Sequence, residues 1–97
     1  MTVFDFLNDT TEQTATRFVC FIGKSMQRFD LAITFTSHFY GKLLVTDIQK
    51  GITAVIGPDD LDEPGYLEHV YRLGEKEGQD LREFLATVVG VVQFPDT

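Results

Sequence analysis

The sequence predicts an α+β domain: a four-stranded antiparallel meander sheet with two C-terminal helices packed on one face. Three observations predict it. Residues 28–36 alternate strictly, with Phe29, Leu31, Ile33 and Phe35 on one side and Arg28, Asp30, Ala32, Thr34 and Thr36 on the other; this is the period-2 signature of a half-buried antiparallel strand. The links between apolar runs in the first half are roughly three to five residues long, which permits hairpins and excludes parallel crossovers. After Gly57-Pro58 the apolar spacing switches to a helical period.

The elements follow in order. Residues 1–15 open with Val3, Phe4, Phe6 and Leu7 and then turn polar and Thr-rich. They are expected to be partly irregular, with the apolar cluster forming an amphipathic turn that docks on the body. From Arg17 the chain reads as strand, and Phe18, Val19, Cys20, Phe21 and Ile22 are apolar or nearly so on both faces. Gly23, Lys24 and Ser25 break it. The alternating second strand comes next, and residues 37–41 connect it to a third at 42–48. There Leu43, Val45 and Asp47 share one face and Leu44, Thr46 and Ile48 the other. Gln49-Lys50-Gly51 is a short hairpin turn, with Gly51 suited to a left-handed position. Residues 52–56 are the fourth strand.

Asp62 is the expected N-cap of the first helix, with Pro64 in its first turn. Tyr66, Leu67, Val70, Tyr71 and Leu73 form its apolar stripe, and Gly74 is expected to end it. A second helix is expected over residues 75–89, with Leu81, Phe84, Leu85, Val88 and Val89 facing inward and Gly90 at its end. Gly78 is its weak point, costing about 1 kcal/mol against Ala. Residues 91–97 read as a tail or short edge strand, stopped by Pro95.

Ninety-seven residues make a single domain, 1–97. Cys20 stands alone, so no disulfide framework or Cys-rich metal site is legible, and a reducing, cytoplasmic compartment fits. The N-terminus lacks a basic region followed by an apolar run, so no signal peptide is expected. No stretch reaches 18 uninterrupted apolar residues, so no membrane span is expected. The net charge of −7 makes nucleic-acid binding by the whole molecule an unfavourable reading. The charge is uneven: residues 16–56 hold five basic and two acidic residues, the rest three basic and thirteen acidic. Solvated helix faces account for this in bland terms. The functional alternatives are an anionic ligand at the sheet or a basic partner at the helices.

No motif assigns chemistry. Gly23-Lys24-Ser25 resembles the end of a phosphate-binding loop, but the glycine required five residues earlier is Phe18. Asp59, Asp60, Asp62 and Glu63 fail a calcium loop, because Pro64 and Tyr71 occupy two ligand positions. His38 and His69 pair with no other ligand at metal spacing, so zinc would need distant partners such as Cys20 or Asp47. A Cys20–His38–Asp47 nucleophilic arrangement can be written, although a mid-strand Cys is most often a small core residue. No cofactor is indicated, and an enzyme is the less favoured reading.

Charges on the sheet are more suggestive. Arg28 and Asp30 share a face, and Arg17 and Asp47 are read as lying on neighbouring strands; cross-strand ion pairs are the bland account. The loop His38-Phe39-Tyr40-Gly41-Lys42 mixes aromatic, imidazole and ammonium groups suited to recognition. Arg28, Asp30, His38, Tyr40 and Lys42 are therefore the candidate ligand-binding residues. Arg28 and Lys42 would meet an anionic group, with His38 and Tyr40 at the rim.

The chain resembles a small uncharacterised family from Gram-positive bacteria, carried as a domain of unknown function. The resemblance rests on Arg17-Phe18-Val19 with Phe21, Arg28-Phe29-Asp30 with Ile33 and Thr36, and Phe39-Tyr40-Gly41-Lys42. It continues through Gly57-Pro58, Leu61, Pro64, Tyr66-Leu67, Val70-Tyr71-Arg72 and Glu83-Phe84-Leu85. It spans roughly residues 12–88. The family implies a compact α/β domain that self-associates; it implies no activity and transfers no site residues. The resulting expectation is a homodimeric binding or interaction module, with a protein partner or a small anionic ligand. An alternative is a regulatory adaptor that meets a basic protein through Glu68, Glu75, Glu77, Asp80 and Glu83. A small enzyme with an unrecognised site is a further alternative.

Overall fold

A computed structural model of the chain describes residues 3–92. Four strands, β1 (Ala15–Ile22), β2 (Arg28–Phe35), β3 (Leu43–Asp47) and β4 (Ile52–Ile56), form an antiparallel sheet in the order β1-β2-β3-β4. Three helices follow: α1 (Pro58–Asp62), α2 (Tyr66–Tyr71) and α3 (Glu75–Val92). The α+β meander is as the sequence predicts, but the helices number three.

The difference has a local cause. Gly57 starts α1, and the Asp60 carboxylate accepts the Gly57 N–H at 2.8 Å. Asp62 is thus the last residue of a short helix and not the cap of a long one. Gly65, at φ +78°, turns the chain into α2. Arg72, not Gly74, takes the left-handed position that ends α2, at φ 57°. Lys50 makes that position tenable: its Nζ donates to the carbonyls of Tyr71 and Arg72 at 2.8 and 2.9 Å, capping carbonyls that α2 leaves unpaired. Helix α3 runs through Gly90 to Val92. Val91 and Val92 are therefore helical and not an edge strand, and residues 93–97 lie outside the described residues.

Register places the core. Ile33 opposes Val45, Phe35 opposes Leu43, and Leu43 opposes Ile56, so these side chains share one face. That face, with Phe29 and Leu31, is buried beneath Leu81, Leu85, Val88 and Val89 of α3 and Leu67 and Tyr71 of α2. The buried Tyr71 hydroxyl donates to the Val45 carbonyl at 2.7 Å, so burial of this polar group is compensated. Phe21 stacks on Phe29 and meets Phe84, with ring centroids 5.1 and 4.6 Å apart. The Arg17 guanidinium lies over Phe84 at 5.8 Å, a cation–π contact at the sheet edge.

Two glycines permit close approach. A Cβ at Gly23 would lie 2.3 Å from the Asp80 carboxylate, and one at Gly78 would lie 2.2 Å from the Glu68 carboxylate. At Gly78 the atoms in the way are the end of the flexible Glu68 side chain, which an added methyl would displace without moving either helix.

Candidate functional site

The sheet has a second face, which no helix among the described residues covers. Its register rows run Thr16–Thr34–Leu44–Val55, Phe18–Ala32–Thr46–Thr53, then Cys20–Asp30 and Ile22–Arg28. Polar pairs hold parts of it: Thr16 bonds Thr34 at 3.0 Å and Thr46 bonds Thr53 at 2.7 Å between hydroxyls. Large apolar side chains stand among them. Phe18 is 73% exposed and Ile22 62%, and Ile48 just beyond β3 is 48%. A sheet packed on one side normally presents polar residues on the other. Here β1 is apolar on both sides, as its sequence indicates.

Asp30 organises the polar part of this face. It accepts from Arg28 Nε at 3.1 Å and Nη2 at 3.3 Å, and from Gln49 Nε2 at 2.7 Å. Hydrogen bonds from Cys20, then Arg28 and Gln49, hold its carboxyl below the usual range. The same contact with Asp30, followed by desolvation, pushes the Cys20 thiol up. A raised thiol pKa disfavours the thiolate, so this environment does not activate Cys20 as a catalytic nucleophile. Cys20 lies on the open face, whereas Asp47 lies buried on the covered face, where it accepts the Lys50 N–H at 3.1 Å. The Cys20–His38–Asp47 arrangement is therefore not assembled. Arg17 and Asp47 are likewise two strands apart, with β2 between them.

The five candidate residues divide into two groups. Arg28 and Asp30 are joined near one end of β2. His38, Tyr40 and Lys42 lie at the other end, about 23 Å away at about 3.3 Å per residue. Lys42 faces Asp60 at 3.7 Å and Arg28 faces Asp30, so each cation has its own carboxylate. Tyr40 projects into solvent, 97% exposed, from a left-handed backbone at φ 50°. His38 Nδ1 contacts Glu12 Oε1. Glu12 also accepts from the Thr36 hydroxyl at 3.0 Å and the Ser37 N–H at 2.9 Å. The Ser37 N–H is the main reason that the Glu12 carboxyl sits below its ordinary value of 4.5.

This clasp fixes where the N-terminal segment leaves the body. Residues 3–14 carry no helix or strand. Val3, Phe4, Phe6 and Leu7 are exposed, Leu7 completely. The amphipathic turn expected to dock on the body is thus an extended arm that does not cover its own sheet.

On the helical side, the turn after β1 meets α3 around a cleft of about 430 Å³ lined by Lys24, Ser25, Lys76, Gln79, Asp80 and Glu83. Asp80 is buried and accepts from the Ser25 N–H at 2.9 Å and from its hydroxyl; these bonds, the hydroxyl's first, lower its pKa. Glu83 lies 3.6 Å from Lys24, and Glu68 lies 3.4 Å from Arg82. Three of the five acidic residues of the adaptor reading are therefore engaged within the chain. Gly23-Lys24-Ser25 is a turn latched to α3. Among the described residues, no helix is long and apolar enough to cross a membrane.

The Glu12 clasp and the Ser25–Asp80 latch are not legible in the sequence, because both join residues at least 24 positions apart. The open face was legible as an apolar surplus in the first and third strands.

The chain belongs to the SAV0927-like family, whose model matches residues 7–87. The bacterial family resemblance is thereby supported at that level. No curated protein matches the sequence.

Proposed function

We propose that the protein is a homodimeric interaction module whose contact surface is the open face of its sheet. The observation that carries this reading is the exposure of Phe18 and Ile22 on the face turned away from α3. Removing apolar surface from water contributes about 25 cal/mol per Å², and contiguous exposed apolar surface marks interaction sites. Two copies related by a two-fold axis would each present this same patch. Arg28 and Asp30 would give the apolar contact a polar register, while His38, Tyr40 and Lys42 remain at the far rim for a further partner. The lone Cys20, lying at the contact, suits a reducing, cytoplasmic setting.

Sedimentation velocity of the full-length protein tests this reading. The expected result is a species of twice the 11.0 kDa chain mass that dissociates on dilution. A single 11.0 kDa species at every concentration up to about 100 μM, the weak end expected for a specific contact, would sink it.

A further inference from the structure

The geometry points to arm exchange: the N-terminal arm of one copy lies across the open sheet face of a second copy, with Phe4 and Phe6 against Phe18 and Ile22. This rests on the dimer reading and names what covers the face.

Three features support it. Phe4 and Phe6 have ring centroids 6.5 Å apart, close to the spacing of alternate side chains along an extended chain, so both rings can meet one surface. Their own sheet is not that surface: the Glu12 clasp holds the arm at the β2–β3 loop, and residues 3–7 remain exposed. Reach is sufficient. Nine extended residues span about 30 Å, whereas the outer strands of a four-stranded sheet lie about 14 Å apart.

The area matches what a stable dimer needs. Phe4, Phe6 and Phe18 are each about 70% exposed. At about 150–250 Å² per ring, the six rings of two copies would remove on the order of 800 Å² from water. That is about half of a standard interface of roughly 1,600 Å², and Val3, Leu7, Ile22 and Ile48 add more of the same kind.

Cys20, in the row between Phe18 and Ile22, provides the test. The full-length Phe6→Cys variant is oxidised mildly, and its disulfides are mapped by peptide mass spectrometry. The expected product is a covalent dimer joining position 6 of one copy to Cys20 of the other. A dimer linked only through the two Cys20 residues would overturn arm exchange and leave the face-to-face dimer standing. A disulfide within one chain would also overturn it, because the arm would then cover its own sheet. Monomer with both thiols reduced would overturn the exchange and the dimer together. A Phe4→Ser, Phe6→Ser double variant checks the energetics: its dimer dissociation constant should rise about 10–100-fold, and an unchanged constant contradicts the proposal.

Discussion

Phe18→Asp is expected to convert the proposed dimer to monomer and leave the fold intact. Phe18 makes little contact within its own chain, being 73% exposed on β1, so the monomer loses little when the ring is removed. At a closed interface the same change removes an aromatic anchor and forces a carboxylate out of water. Central aromatic anchors typically contribute about 2 kcal/mol or more, which is about a 30-fold weaker dimer, and the unpaired carboxylate adds to this. Sedimentation should show the loss at concentrations where the wild-type chain is paired. Circular dichroism of dilute protein should show unfolding within about 0.5 kcal/mol of wild type, the usual range for surface changes. An unfolded variant would mean that Phe18 belongs to the core; an unchanged dimer would place the contact elsewhere.

The opposite pattern is expected on the other side of the sheet. Ile33→Ala should destabilise the chain by about 2–5 kcal/mol, the range for deleting a buried aliphatic side chain and leaving a cavity. Ile33 is fully buried at the centre of β2, opposite Val45 and beneath the helices. Val45, its cross-strand neighbour, is itself fixed by the hydrogen bond that its carbonyl accepts from the Tyr71 hydroxyl. For a domain of this size the midpoint of thermal unfolding should fall by about 10–30 °C. Thermal and denaturant unfolding of dilute protein measure it. A loss below about 1 kcal/mol would show that the β2 core face is loosely packed and that the two faces differ less than their exposures indicate. Together the two variants separate a residue that acts between chains from one that acts within a chain.

The sheet was readable because its information is local. Strict alternation in β2 assigns Phe29, Leu31 and Ile33 to one face, and the turn at Gly51 sets the pairing that follows; the observed φ of +71° there needs a glycine. Helix ends were less legible because they depend on distant partners. Arg72 ends α2 in a conformation that its own side chain disfavours, and Lys50 compensates from the β3–β4 turn. Pro58 at the first helical position, with Asp59 and Asp60 in the first turn, marks a helix start, but the apolar stripe from Tyr66 onward outweighs it and draws the expected cap to Asp62. Gly90 did not end α3, because a glycine weakens a helix without stopping it when the chain beyond continues the same path.

The candidate site shows the same division. Arg28 and Asp30 were legible as a pair because strand alternation puts them on one face. Lys42 was not legible as the partner of Asp60, which lies 18 residues further on, in α1. The apolar surplus of β1 was evident in Phe18, Phe21 and Ile22, but which side the helices take depends on all four strands together. Once Val19 and Phe21 turn to the helices, Phe18 and Ile22 are left to the open face.

If two copies meet through the open face, the native Cys20 reports on that contact without any substitution. The rate at which Cys20 is alkylated by a small thiol reagent should be measured on wild-type protein across the dilution series that sedimentation covers. The account predicts that alkylation slows as dimer forms, with the same midpoint. Dimer formation with an unchanged alkylation rate would contradict it and move the contact to another surface.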